Sequence, residues 1–388
     1  MTPVQPQSPQ PALFRMVDLF AGPGGLDIAA EALGVPSVGV EWDAGAYATR
    51  TQAGLHTVRD DVRKCKPTDP AFQGANVLSG GPPCQTFTVA GNGAGRRALD
   101  TVLKFVQRLV DRDKWSNIEA DLAELKDERT GLVLQPLHWA LEAIDNPDLD
   151  PYHAIVLEQV TAVLPVWEAY AEALSDEYET DFGVLHTEEF GVPQTRRRAV
   201  MIARRRNEDD RLHSPQPLKL PTPTHQRYRG RMRVGDEGFA FADAMPARWV
   251  SMSQALPERP TPFTVISNYG TGGDPKARGE RRSDQPSATV TGKISRNRVI
   301  GPSGTDRFSF SEAGRLQTFP AAYPWSGKDV SQQIGNAVPP RLGMHIISAA
   351  LGLGRPSQEA LNRLASWKPT VPQEDKSENE KDAPPSHS

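Results

Sequence analysis

Asp18-Leu19-Phe20-Ala21-Gly22-Pro23-Gly24-Gly25-Leu26 stands between two segments of different period, and its reading decides the fold. Before it, Leu13–Phe20 is an apolar run of strand length; after it, Leu26–Leu33 carries apolar residues at helical spacing and stops at Gly34. The order is strand, glycine-rich loop, helix. Glycines at such a turn let the backbone pass close to a ligand where any side chain would clash. Glu41 ends the next apolar segment, Val38–Trp42, 19 residues after Gly22. That spacing suits a carboxylate that binds ribose hydroxyls. A helix-entry turn without a ligand, or a dinucleotide site, is compatible with the same residues.

Working outward, Asn76–Leu78, His153–Leu157 and Ala199–Ala203 read as further strands, with helix-length intervals between several of them. Strand and helix alternation predicts an α/β fold with a doubly wound, mostly parallel sheet. After Arg204 the pattern changes to short segments broken by Pro, Gly and charge, a smaller and irregular domain. Phe308–Phe319 and Arg341–Leu353 then restore helical spacing. The reading divides the chain into 1–11, a disordered N-terminus; 12–203, the first domain; 204–307, the second; 308–355, a return to the first; and 366–388, a disordered tail.

Single cores stop growing near about 250–300 residues, so 388 residues call for two lobes. The formal net charge is −4, which by itself names no polyanionic partner. Its distribution says more. From Arg196 to Arg233 there are 12 Lys/Arg against 3 Asp/Glu, and from Lys276 to Arg307 there are 8 against 3. Such clusters fit nucleic acid as well as a solvated arginine-rich face. Only Cys65 and Cys84 occur, without a secretory leader, so a disulfide is not expected and the compartment reads as reducing cytoplasm. No apolar run approaches the roughly 20 residues of a membrane helix, and no metal site is read.

Gly80-Gly81-Pro82-Pro83-Cys84-Gln85 puts a thiol at the mouth of a tight turn just after the apolar Val77-Leu78. Leu157-Glu158-Gln159-Val160, Gln194-Thr195-Arg196-Arg197-Arg198 and Gln333-Ile334-Gly335-Asn336-Ala337-Val338 follow in order. With the glycine loop, this set resembles the DNA cytosine-5 methyltransferases of the bacterial restriction-modification type, over roughly residues 13–350.

The resemblance implies an S-adenosylmethionine-dependent methyltransferase fold with a target-recognition domain, and S-adenosylmethionine as cofactor. Phe20, Gly22, Gly24, Gly25 and Leu26 would cradle its methionine part, Glu41 its ribose, and Asp61 its adenine, with Asp60 a rival for that last position. Trp42, Pro82, Leu132, Asn336 and Val338 complete the implied cofactor site. Leu132 rests on a loose match, Glu128-Arg129-Thr130-Gly131-Leu132, and fits plain core nearly as well.

Carbon 5 of cytosine is a poor nucleophile until another nucleophile adds at carbon 6, and a soft thiolate suits that addition. Cys84 is the candidate. Addition pushes electron density onto ring nitrogen 3, where a carboxyl on the pairing edge can share a proton, and Glu158, at the carboxyl end of an apolar strand, is the candidate for that. The family usually has Asn after this Glu, where this chain has Gln159. Strand alternation puts Arg196 and Arg198 on one face, able to converge on one pocket, with Arg197 pointing away. Both are counted as catalytic candidates; phosphate clamping is the plainer alternative.

Because a duplex hides the reacting carbons, the target must swing out, and the glycine-rich Gln85–Gly95 segment could close over the DNA. The segment from Arg204 to Asp306, with Tyr228, Trp249 and Tyr269 among its charges, resembles the recognition domain. Pro286–Gly292 and Gly314–Pro320 resemble the family's flanking segments. The implied partners are duplex DNA and a cognate restriction endonuclease acting on the same site, with the chain a monomer near the nucleoid and away from membranes. A tRNA cytosine-5 methyltransferase, and a non-catalytic DNA-binding regulator with the same fold, remain alternatives.

Overall fold

The computed structural model describes residues 13–83, 94–125, 129–206, 217–230, 246–267 and 279–369. Both terminal segments, Cys84 and most of the Gln85–Gly95 loop, and Tyr269 lie outside the described residues.

The strand, loop and helix of the opening stretch form as read: β1 (Met16–Leu19), then α1 (Gly25–Ala32). β2 (Ser37–Val40) leads to α2 (Ala44–Ala53), β3 (Thr57–Val58) and β4 (Val77–Gly80). β1 and β4 are buried at every position, which requires cover on both faces of the sheet. α3 (Ala94–Val110), α4 (Trp115–Ala123), α5 (Arg129–Leu132) and α6 (Gln135–Asp145) precede β5 (Ala154–Gln159). α7 (Leu164–Ala173) then leads into an antiparallel pair, β6 (Tyr178–His186) and β7 (Arg197–Arg205).

These strands make one seven-stranded sheet in the order β3-β2-β1-β4-β5-β7-β6. β3, β2, β1, β4 and β5 pair in parallel, and β7 runs against both β5 and β6. The chain winds outward from β1 in one direction to β3 and in the other from β4, so the switch point lies between β1 and β4. Ligands of such sheets gather at the carboxyl ends beside that point.

Val102, Val106, Leu137, Trp139, Trp167 and Tyr170 of α3, α6 and α7 belong to the apolar cluster on one face of the sheet. On the other face lie Ile28 and Ala29 of α1, with Leu342, Met344 and Ile347 of α11 (Pro340–Ala350). Gly343 lets these two helices approach: a Cβ there would stand 3.1 Å from Ala29 Cβ and from Leu26 Cδ2. α12 (Gln358–Ala365) closes the same layer through Ala360 and Leu364.

A second, four-stranded antiparallel sheet has the order β11-β10-β8-β9, from β8 (Thr264–Ile266), β9 (Glu280–Arg282), β10 (Arg298–Gly301) and β11 (Gly304–Asp306). Its core joins Phe263, Val265 and Val299 to Met252 of α8 (Met252–Ala255). The same core takes Ala313 and Leu316 of α9 (Phe310–Leu316) and Val330 and Ile334 of α10 (Val330–Asn336). The segment after Phe308 therefore packs first with the small sheet, and Phe319, Ala337 and Val338 join the large one. Among the described residues no helix is long and apolar enough to cross a membrane.

Candidate active site

The loop after β1 is held in conformations that L side chains rarely adopt: φ is 63° at Phe20, 55° at Gly22 and 99° at Gly24. A Cβ on Gly24 would sit 2.2 Å from Leu55 Cδ1, and one on Gly25 would sit 2.2 Å from the Val338 carbonyl oxygen. The first loop and the Asn336-Ala337-Val338 turn therefore touch backbone to backbone. Tyr323 seals the contact by donating its hydroxyl to the Pro23 carbonyl. Asn336 is exposed at the end of α10, where its Oδ1 accepts from Gln332 Nε2 at 2.7 Å.

Glu41 lies just past β2 and turns its carboxylate under the loop. Oε2 accepts the Gly22 N–H and Oε1 the Asp43 N–H, each at 2.7 Å. Burial holds this carboxyl above its usual range, and the two N–H bonds oppose that. Beside it Trp42 is 72% exposed, a large aromatic face left open to solvent next to the loop. Asp61 is engaged elsewhere: Arg63 Nε lies 3.0 Å from both of its oxygens. Partial burial raises the Asp61 carboxyl, but the Arg63 contacts outweigh it and the net displacement is downward. The rival Asp60 accepts the Asp61 N–H at 2.8 Å. Leu26 is buried in the α1 layer, whereas Leu132, half-buried, packs on the opposite cluster with α3 and α6.

Beneath the loop lies a pair that the sequence did not disclose. Arg50 and Asp27 are both fully buried, with Arg50 Nη1 2.6 Å from Asp27 Oδ2. Arg50 Nε also donates to Thr57 Oγ1 at 2.8 Å, tying α1, α2 and β3 together behind the glycines. Asp18, inside β1, accepts from Ser79 Oγ of β4 at 2.8 Å. Burial pushes the Asp18 carboxyl well up, and the neighbouring Asp27 adds to the effect. No spacing in the chain announces partners 23 and 61 positions apart.

At the carboxyl ends of β4 and β5 a second group converges. Arg198 Nε stands 2.8 Å from Glu158 Oε1, an ion pair lying off the hydrogen-bond axis. Glu158 is 3% exposed, and burial raises its carboxyl against the pull of Arg198 and Arg196. A Cβ on Gly81 would be 3.5 Å from the Glu158 carbonyl, so the turn before Cys84 runs in contact with it. Gln159 Nε2 donates to the Pro82 carbonyl, fastening the same turn.

The two arginines read as a convergent pair divide their work. Both act on Glu158 electrostatically, but the Arg196 guanidinium is spent on backbone, donating to the carbonyls of Val290, Gly335 and Ala337 at 2.9–3.2 Å. Arg198 alone of the two makes the close contact with the glutamate. Gln194, buried at the head of the same string, accepts the Val290 N–H at 3.0 Å and donates to the Leu316 carbonyl at 3.0 Å. The Gln194–Arg198 segment thus stitches the large sheet to the segments around the small one.

A family model described as C-5 cytosine-specific DNA methylase matches residues 14–111 and 162–351. The chain is 25% identical over 385 residues to Type II methyltransferase M.BspRI of Lysinibacillus sphaericus, across 84% of this chain and 78% of that protein. It is 27% identical over 352 residues to Type II methyltransferase M.AplI of Arthrospira platensis, across 85% and 84%. Among solved structures, the S. pombe Dnmt2 methyltransferase superposes with a TM-score of 0.54 at 16% identity, covering 87% of this chain and 98% of that one. The Entamoeba histolytica methyltransferase EhMeth does so with a TM-score of 0.55 at 12% identity, covering 87% and 97%. At these identities the structural likeness is one of fold.

Proposed function

The chain belongs to the C-5 cytosine-specific DNA methylase family, and on that premise we propose that it methylates a cytosine swung out of duplex DNA, using S-adenosylmethionine and a covalent bond to Cys84. The observation that carries this reading is the meeting of Glu158, Arg198 and the Gly81–Pro82 turn at the carboxyl ends of β4 and β5.

The residues of the first loop fit the cofactor. Gly24 and Gly25 leave no space for side chains, and each Glu41 oxygen keeps a lone pair beyond its backbone N–H, enough to accept from a ribose hydroxyl. Trp42 offers an aromatic face for adenine, and Asp61, the proposed partner of the adenine amine, would share its carboxylate with Arg63. When bound, S-adenosylmethionine supplies an electrophilic methyl group.

In this reading the Cys84 thiolate adds to carbon 6 of the flipped cytosine, while Glu158, whose carboxyl burial raises, shares a proton with ring nitrogen 3. Carbon 5 thereby gains the electron density it lacks. Arg198 holds Glu158 in place and presents N–H donors toward the ring carbonyl oxygen. Once carbon 5 carries the methyl group, its proton passes to water or another base, and the freed electron pair re-forms the C5–C6 double bond as the C6–S bond breaks and releases the Cys84 thiolate.

Residues 204–307 are proposed to choose the DNA sequence, with 12–203 and 308–355 supplying the chemistry. The proposed setting is a cytoplasmic monomer acting beside a restriction endonuclease of the same specificity; the relatives are named Type II methyltransferases. Transfer of tritiated methyl to duplex DNA, set against tRNA, tests the substrate. Label entering tRNA but not DNA would replace this reading with the RNA one.

A further inference from the structure

Where the β6–β7 turn meets the small sheet, a cavity of about 500 Å³ is lined among others by His186, Glu188, Arg197, Arg227, Arg229 and Arg281. Arg196 contributes to its wall and also acts on Glu158, so the cavity adjoins the proposed reaction site. Arg281 is fixed: its guanidinium lies over the Tyr228 ring at 4.9 Å, and Tyr228 meets Trp249 edge-on at 5.2 Å. Arg227 and Arg229 are exposed at the mouth.

Five arginines would suit any phosphate, but Glu188 does not belong to such a site. It is 2% exposed, and its Oε2 is buried without a hydrogen-bond partner, as is Arg281 Nε on the same wall. His186 Nδ1 stands 3.8 Å from its other oxygen. A carboxylate repels a phosphate, so its presence weakens a pure anion site, and a buried unpaired acceptor is retained where something satisfies it. Burial raises the Glu188 carboxyl, and its own backbone N–H and then Arg227 draw it back. The combination fits a ligand with an anion at one end and an amine at the other, which is a nucleotide whose base carries an exocyclic amino group. Carboxylates accept from such amines when they read bases.

We propose that this cavity reads one nucleotide adjoining the target cytosine: Arg227 and Arg229 hold its phosphate, and Glu188 accepts a hydrogen bond from the exocyclic amine of its base. The inference rests on the cytosine-5 reading and assigns part of its sequence specificity to named residues.

The test is a pool of duplexes randomised around one fixed cytosine, from which the full chain's bound fraction is recovered and sequenced. Selection by binding needs no methyl transfer. The unmutated chain should prefer an amine-bearing base at one adjoining position. Glu188→Leu should weaken that single preference about tenfold, leaving the others in place, and Glu188→Gln, which keeps an acceptor oxygen, should fall between. Arg227→Ala and Arg229→Ala should weaken binding to all sequences alike and reduce the log–log salt slope by about 0.9 per phosphate contact. Glu188→Leu and Glu188→Gln both keeping the full preference would overturn the proposal, as would an unmutated chain indifferent at every adjoining position. Methyl transfer measured on the same pool is a separate readout: selection without transfer sinks the catalytic reading and leaves this one standing.

Discussion

Gln159 donates through Nε2 to the carbonyl of Pro82, while its Oε1 accepts the N–H of Val160. One side chain thereby joins the end of β5 to a turn two residues ahead of Cys84. The family resemblance places a shorter Asn here, and the extra methylene of Gln still reaches the turn. A loop misplaced by about 1 Å costs on the order of 10²-fold in rate. Gln159→Ala should therefore lose about that much in single-turnover methyl transfer, and Gln159→Asn should stay within about tenfold of the parent or exceed it. Equal rates for all three would show that the turn needs no fastening.

Cys84→Ala should abolish methyl transfer and leave duplex binding intact, since in the proposed mechanism the thiol forms the covalent bond and is not used to hold phosphate. A duplex with 5-fluorocytosine, incubated with the parent chain and S-adenosylmethionine, should give an adduct stable to denaturant. Its absence would remove Cys84 as the nucleophile.

Glu158→Gln should slow transfer by about 10²–10⁴-fold, the range for loss of a positioned acid or base. Arg198 pulls the Glu158 carboxyl down against burial, so Arg198→Met should let it rise further. The limb of the pH–rate profile that reports Glu158 should then move to higher pH. A limb that stays in place, or moves down, would separate the arginine from the glutamate's titration.

Arg196→Met should act on stability first, because it strands three buried carbonyls that the guanidinium now satisfies. Each stranded group costs about 1–3 kcal/mol. Guanidinium denaturation should show a loss of roughly 3 kcal/mol or more, and a loss below about 1 kcal/mol would show that the three carbonyls find other partners.

Asp18 carries a carboxyl raised by burial and by Asp27. Its folded form binds a proton more tightly than its unfolded form, so it favours folding in acid, and that contribution fades as pH rises above about 3.9 and through the folded value. Asp18→Asn should lack this dependence. Denaturation at pH 5 and pH 8 should find the variant gaining on the parent at the higher pH; a constant difference would mean that Asp18 is ionised throughout.

The sheet and the first loop were legible because β1, β4 and β5 are buried strands built on short apolar runs and the glycines answer to backbone contacts that any side chain would block. β6 was not, since the edge strand Tyr178–His186 is half-buried or exposed at all positions but Tyr178 and Leu185 and carries Glu179, Thr180 and Asp181. Glu41, Glu158 and Arg198 were found at strand ends, where chain order and space coincide. The Arg50–Asp27 pair, the carbonyl partners of Arg196 and the cavity around Glu188 arise only when distant segments meet. For the same reason, α9 and α10 were assigned to the large lobe although their apolar faces serve the small sheet's core.

The contact between Gly25 and the Val338 carbonyl has a consequence for the chain as it is made. Translation delivers the glycine loop first and the segment that presses on it more than 300 residues later. Until Val338 has cleared the ribosome, the loop lacks one of its walls, and α1 lacks the helix that covers it. A chain that stops short of Val338 therefore lacks one wall of the loop proposed to hold the methyl donor.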